Sequence, residues 1–240
     1  MRVNAVVQAR VGSRRLPGKV LRHLGDRPVL EWVVRAARAA DLDGVVVATS
    51  EQPADDAVAD LAASLGAAVT RGPEDDVLTR FQIALDEHPC DAVVRLTADC
   101  PLLDPALVSQ VVGAWRCDPT YDYVSTTLVR TLPRGLDVEL AAAEALVDVG
   151  RSARGHDRIH VTSGLYSDPN RYRLLGLVFA PAAEDLRITL DTAEDAALLD
   201  GLVATLGGPA GWREVIATLR KRPDLVALNA RVEQKPLEAG

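Results

Sequence analysis

Cysteine is scarce in this 240-residue chain. Cys90, Cys100 and Cys117 are odd in number and unpatterned, with no Cys-x-x-Cys pair. That argues against a disulfide framework and points to reduced thiols and a cytoplasmic protein. No apolar run approaches the length needed to span a bilayer. A secretory h-region is likewise missing, because Arg10 interrupts the first apolar stretch. The sequence has no internal repeat and no low-complexity linker. A formal charge of -7 argues against a nucleic-acid polymer as partner, although not against a mononucleotide held in a local basic pocket. Two phosphate-binding signatures are absent. A P-loop needs four residues between its first glycine and Gly-Lys, followed by Ser or Thr; here five separate Gly12 from Gly18, and Val20 follows Lys19. No Gly-x-Gly-x-x-Gly occurs either.

Apolar residues nevertheless make up 48% of the chain, enough for a real core and one domain of α/β type. β-Branched and apolar runs over 3–7, 44–49, 67–70 and 91–97 predict buried strands. Helical spacing predicts helices over 28–40, with Pro28 at the start, over 53–65, ended by Gly66, and over 77–87. Strands alternating with helices imply right-handed crossovers and a parallel sheet. Further strands are expected over 121–126, 136–140, 172–179 and 186–190, a helix up to residue 206, and a helical region over 209–228. The polar stretch 230–240 reads as a loose tail.

The most informative stretch is 8–21. Arg2, Arg10, Arg14, Arg15, Lys19 and Arg22 all precede the first carboxylate, Asp26, in a chain whose average charge is negative. Gly12 and Gly18 allow backbone N–H groups close to a ligand, and Pro17 stiffens the turn. A strand running into a cationic glycine loop suits a polyphosphate; a solvated basic loop is the plainer alternative.

Two carboxylates stand out against it. Asp99 ends the apolar strand closing with Thr97, where a carboxylate can hold Mg²⁺ while the metal bridges phosphate oxygens. Asp191 ends the apolar run 186–190 far along the chain. Either could instead serve a turn or helix start. Asp104 reads as an N-cap ahead of Pro105, and Thr192 with Asp195 has capping-box spacing. Arg71 follows a strand end, where open α/β sheets bind ligands, but could pair with Glu74 or Asp75 on the surface. Arg80 could be an exposed helix charge. Asp137 and Glu139 give one strand face an acidic character. His156 and His160 have i, i+4 spacing, but no third ligand cluster lies near them in sequence, so His160 is read as a polar site residue rather than a zinc ligand.

Gln8-Ala9-Arg10 with Ser13-Arg14-Arg15-Leu16-Pro17-Gly18-Lys19 resembles the nucleotide-binding loop of sugar-acid cytidylyltransferases, especially the spore-coat polysaccharide branch. More distantly it is similar to the synthetases of CMP-activated 3-deoxy-octulosonate and sialic acid. The likeness continues through 71–80, 95–105, 122–139, 156–162 and 190–195. It implies a Rossmann-like nucleotidyltransferase of GT-A-like, three-layer α/β/α form over 1–229, with 121–165 as an acceptor-side and dimerisation insertion. It further implies CTP and a small acceptor as substrates, pyrophosphate as product, and a homodimer. By the same resemblance Mg²⁺ sits on Asp99 and Asp191, and Arg10 and Lys19 face the β,γ-phosphates. Gln8, Ala9, Gly12, Ser13, Arg14, Arg71, Arg80 and Thr97 fall on the nucleotide side; Asp137, Glu139 and His160 fall on the acceptor side. Two departures lie there: Thr126 stands where the family has Asn, and Ile159 where it has an acid. Two other activities suit the same fold, a glycosyltransferase and a non-catalytic nucleotide sensor. The first usually needs closely spaced metal carboxylates, and Asp99-Cys100-Pro101 supplies one.

Overall fold

The run Val3–Gln8 forms strand β1 and is buried along almost its whole length, as an interior parallel strand must be. Val3, Ala5 and Val7 enter one apolar cluster, and Val6 enters a second on the opposite face. This alternation makes the molecule three layers deep. The structure is a computed structural model that describes residues 1–233. Of the tail expected over 230–240, residues 234–240 lie outside the described residues.

After β1 come a two-stranded hairpin, β2 (His23–Leu24) and β3 (Arg27–Pro28), and helix α1 (Val29–Ala39). Strand β4 (Gly44–Ser50), a 3₁₀ turn at Pro53–Asp55, α2 (Asp56–Ser64), β5 (Ala68–Gly72), α3 (Val77–Glu87) and β6 (Ala92–Thr97) follow. Next are α4 (Pro105–Cys117), β7 (Tyr123–Ser125), β8 (Glu139–Ala142), α5 (Ala143–Ser152), α6 (His156–His160), α7 (Ser163–Tyr166) and β9 (Leu174–Gly176). Helices α8 (Ala193–Leu206), α9 (Trp212–Lys221) and α10 (Pro223–Asn229) complete the fold.

The main sheet has the order β5-β4-β1-β6-β8-β7-β9. Only β8 runs antiparallel to its neighbours, so the sheet is mostly parallel, as the strand–helix alternation implies. Apolar faces of α1, α4, α8 and α9 cover one side, and those of α3 and α5 cover the other. The chain builds outward from β1 to β5 and then returns to pair β6 on β1's other flank. Such a reversal opens a crevice at the carboxyl ends of the two strands. The loop after Gln8 and the turn after Thr97 leave the sheet at that point.

Three segments depart from the sequence expectation: the strand expected over 136–140 begins only at Glu139, as β8, and two others differ more. The run 172–179 forms a strand only over Leu174–Gly176, where it pairs with β7. The run 186–190 alternates in burial as a strand would, with Leu186, Ile188 and Leu190 inward. Its backbone instead pairs with a loop: Arg134 N–H donates to Leu186 O (3.1 Å), Ile188 N–H to Arg134 O (2.7 Å), and Leu190 N–H to Asp99 O (2.8 Å). A single bridge, Arg134 with Arg187, is all the ladder that forms.

Gly135 makes that pairing possible. Its φ is +107°, and a Cβ there would lie 2.7 Å from both Ile188 C and Thr189 N, which are backbone atoms without freedom to retreat. Gly135→Ala therefore combines left-handed strain with a backbone clash, together about 2–5 kcal/mol. We expect its thermal midpoint, followed by far-UV circular dichroism, to fall by at least about 5 °C. An unchanged midpoint would show that this segment is not held against Gly135.

Candidate active site

The loop after β1 is a compact set of turns. Gly18 N–H donates to Val11 O (3.0 Å), and the N–H groups of Leu21 and Arg22 donate to Gly18 O (2.9 and 3.1 Å). Gly18 takes a φ of +71°, which an L side chain rarely adopts. Buried Asp55 pins the loop from outside: it accepts from Val11 N–H (2.6 Å) and from the Ser50 hydroxyl. At Gly12, Glu74 lies close overhead and accepts from Arg10 Nη1 at 3.2 Å.

Lys19 is only 9% exposed. Its ammonium donates to Asp99 Oδ2 at 2.7 Å and to Asp191 Oδ1 at 2.8 Å, so two carboxylates from distant parts of the chain converge on one nitrogen. Asp191 Oδ2 faces Arg187 (2.8 Å) and Arg15 (3.0 Å). Arg187 also clasps fully buried Asp195, which accepts from the backbone N–H groups of Asp191 and Thr192 as well. Burial raises the Asp99 pKa, but the charge and hydrogen bond of Lys19 and a bond from Thr97 outweigh it, leaving the carboxyl below its ordinary value. Burial likewise disfavours the Lys19 charge, and Asp99 and Asp191 more than offset that. The site is thus a pre-formed set of charges rather than neutralised side chains.

Arg80 forms the cleft's inner wall from α3 and is 2% exposed, not the helix-surface charge its position also allowed. Its Nε and Nη1 are buried and have no hydrogen-bond partner among the described residues. Burial and the nearby positive charge of Arg10 hold its pKa below the usual arginine value. Buried unsatisfied guanidinium donors are costly, about 1–3 kcal/mol. Arg80 lines a cleft of about 270 Å³, so these unsatisfied donors lie at its wall.

Gln8, Ala9, Arg10, Gly12, Ser13, Arg14, Lys19, Arg80, Thr97, Asp99 and Asp191 all line this one cleft. Ile159, from α6, closes it on the side of the insertion. Arg71, Asp137, Glu139 and His160 are not among its walls. Arg71 donates to Asp56 (2.7 Å) and to the carbonyls of Ser50 and Gln52. Asp137 takes a two-pronged grip from Arg130. His160 ends α6 and is half-buried. Glu139 is buried behind the cleft, where it accepts from Arg95, from Tyr123 Oη (2.5 Å) and from Thr162 Oγ1 (2.7 Å). Arg95 Nε in turn donates to Gln8 Oε1 (3.0 Å), so a chain of polar contacts runs from the buried acid to the cleft wall.

Sequence reasoning overlooked Arg187, Glu74 and Asp55. Arg187 could have been found, because it stands four residues before Asp191 and eight before Asp195. Nothing in the sequence marks Asp55 as the buried anchor of a loop 44 residues earlier.

A glycine-turned cationic loop facing two converging acids does not by itself name a family, and comparison with known proteins does. The sequence model described as cytidylyltransferase matches residues 4–194. The chain belongs to the cytidylyltransferase family. Among its relatives is the spore coat polysaccharide biosynthesis protein SpsF of Bacillus subtilis, 34% identical over 91% of this chain and 94% of that one. Over 50% of the chain and 49% of the relative, it is 34% identical to the 8-amino-3,8-dideoxy-manno-octulosonate cytidylyltransferase of Shewanella amazonensis. A solved cytidylyltransferase from Leptospira borgpetersenii superposes with a TM-score of 0.90 at 26% identity, covering 98% of this chain and 99% of that one. As a cytidylyltransferase, the protein is a nucleotidyltransferase of the Rossmann-like class.

The Glu139 network carries a pH signature. Burial raises the Glu139 pKa, but Arg95, Tyr123 and Thr162 together bring it below the usual 4.5. A carboxyl that is more acidic when folded stabilises the protein above its unfolded value, and that share is lost as pH falls through the folded value. In Glu139→Gln the buried Arg95 loses its counter-charge, which costs about 3–5 kcal/mol. Urea titrations at a series of pH values should show this deficit in full near neutrality and shrinking below pH 4.5. A deficit that persists undiminished far into acid would mean that the pair is not ionised.

Proposed function

We propose that this cytidylyltransferase transfers CMP from CTP to a sugar acid or related small acceptor and releases pyrophosphate, with Mg²⁺ as its metal. The observation that carries the reading is the pairing, in one cleft, of the unpartnered buried guanidinium of Arg80 with Asp99 and Asp191, which converge on a single cation. Polar groups that the fold leaves unsatisfied call for an anionic, hydrogen-bonding ligand. The two acids suit a divalent ion. No cluster of three or more His, Cys, Asp or Glu ligands occurs among the described residues, and Mg²⁺ is the metal that accepts one or two carboxylates and takes its other ligands from phosphate and water.

When bound, the metal supplies charge neutralisation and alignment at the reacting phosphate. The chain's own residues do the rest. Backbone groups around Gly12 and Ser13 cradle the outer phosphates, and Arg10 and Lys19 balance the negative charge that grows on departing pyrophosphate. Arg14 adds to the same field from the rim. Arg80 holds the nucleotide from the inner wall, and Gln8, fixed by Arg95, presents its amide alongside. The acceptor oxygen attacks the α-phosphorus in line, so the protein's task is positioning rather than covalent chemistry. Acceptors enter past Ile159, from the side of Asp137 and His160. The kinship with a polysaccharide-biosynthesis protein and an octulosonate cytidylyltransferase favours a sugar acid.

The test is a panel of the four ribonucleoside triphosphates with Mg²⁺, followed by pyrophosphate release with sugar-acid acceptors. At 100-fold over its Kd, CTP should stabilise the protein by about 2.7 kcal/mol, raising the melting point by roughly 5–10 °C. A larger shift with another nucleotide, or no pyrophosphate with any sugar acid, overturns the reading.

Arg80 gives a sharper expectation. Arg80→Met removes buried unsatisfied donors, so the nucleotide-free protein should melt higher than wild type while its affinity for CTP falls at least about ten-fold. Opposite movements of melting point and affinity would mark a residue kept for its ligand. A melting point that falls instead assigns Arg80 to the architecture.

A further inference from the structure

The chain contains 24 arginines and three lysines, Lys19, Lys221 and Lys235. Among the described residues the other ion pairs use guanidinium groups, His156 with Asp157 apart, and one ammonium sits between the two site acids. The choice has a physical reason. An ammonium is a compact, strongly hydrated point charge on a flexible stem, closer to a metal ion in shape and mobility than a planar guanidinium fork is.

The surroundings show which partner is free to move. Asp191 Oδ2 is held by Arg15 and Arg187 independently of Lys19. The Asp99 backbone is tied by Leu190 N–H and by Thr189 Oγ1. The Asp191 carboxylate and the Asp99 backbone are therefore fixed from behind. Lys19 hangs on a four-carbon stem beside the phosphate cradle, and its ammonium can pass from the acids to a phosphate by rotation of side-chain bonds alone. We propose that Lys19 is a stand-in cation: in the nucleotide-free protein it occupies the place between Asp99 and Asp191 and keeps a bare divalent ion out, and it yields only when nucleotide phosphate arrives to receive its charge. This inference rests on the metal and nucleotide reading above and adds an order of events to it.

The energetics set that order. A divalent ion arriving alone would have to displace an ammonium that is nearly buried and has no other anion within reach, leaving an uncompensated charge behind. When metal and nucleotide arrive together, the same ammonium exchanges carboxylate oxygens for phosphate oxygens, and every charge keeps a partner.

The experiment uses Mn²⁺ as the probe, with free ion counted by electron paramagnetic resonance on the full chain without nucleotide. Lys19→Met should bind Mn²⁺ at least about ten-fold more tightly than wild type, the scale of one neighbouring charge in a partly buried site. Its melting point should be low in chelator and recover in millimolar Mg²⁺, whereas that of the wild type should not respond to Mg²⁺ alone. Equal Mn²⁺ affinity in the two proteins overturns the proposal. Should Lys19→Met fail to fold, the wild type answers by itself: with only three lysines, the ¹⁵N ammonium resonance of Lys19 can be followed directly. That resonance should stay put in Mg²⁺ alone and shift when CTP is added with Mg²⁺; movement in Mg²⁺ alone contradicts the proposal. Whether CTP alters the melting of the wild type is read separately, so a failed nucleotide assignment remains distinguishable from a failed cation exchange.

Discussion

Three charged groups meeting at the nitrogen of Lys19 fix the working geometry of this cytidylyltransferase. Asp99 comes from the end of β6, Asp191 from the turn before α8, and Lys19 from the loop after β1. Each would be costly to bury alone. Together they neutralise much of one another, and the surrounding bonds from Arg187, Arg15, Leu190 and Thr189 leave the acids little room to drift. The sheet topology makes the meeting possible, since β1 and β6 are adjacent and point their carboxyl ends at the same crevice.

Electrostatics divides the molecule into two scales. At long range the chain is acidic, with a net charge of -7. Inside the cleft Arg10, Arg14, Arg15, Lys19 and Arg80 meet Glu74, Asp75, Asp99 and Asp191 on one small surface. Such a site repels polyanions that approach the protein generally, yet offers a short-range cradle to a phosphate chain small enough to enter. Behind it, the Glu139–Arg95–Gln8 relay ties the cleft to α6 and α7 through Thr162. Movement of α6 and α7 would therefore be felt at Gln8.

Where local physics decides structure, the sequence was legible. β-Branched runs became β1, β4 and β6. Asp104 caps α4 through Ala106 N–H, and Thr192 with Asp195 forms the capping box of α8. Asp104 also accepts from Trp212 N–H across the fold, which no local rule could reveal. The cationic loop and the acids Asp99 and Asp191 were visible as well, because each breaks its local pattern. Less visible was everything decided by a distant partner. The alternation at 186–190 correctly reported burial but not pairing, since its hydrogen-bonding neighbour is an irregular loop opened by Gly135. Glu139, legible only as part of one acidic strand face, is buried against Arg95. For Arg80 the spacing left inside and outside equally open, and packing of α3 under the cleft settled it.

The hydrogen bond from Leu190 N–H to Asp99 O and the pair between Lys19 and Asp191 span 172 residues at their widest. Contacts of such sequence separation are closed late, after local elements have formed and the entropy of a long loop has been spent. During synthesis the cationic loop after β1 emerges first and its acidic counterpart Asp191 emerges near the end. A ribosome-bound chain therefore carries a positively charged loop with half of its answering charge missing, and the charged cluster at Lys19 is complete only once Asp191 and the helices behind it have left the exit tunnel.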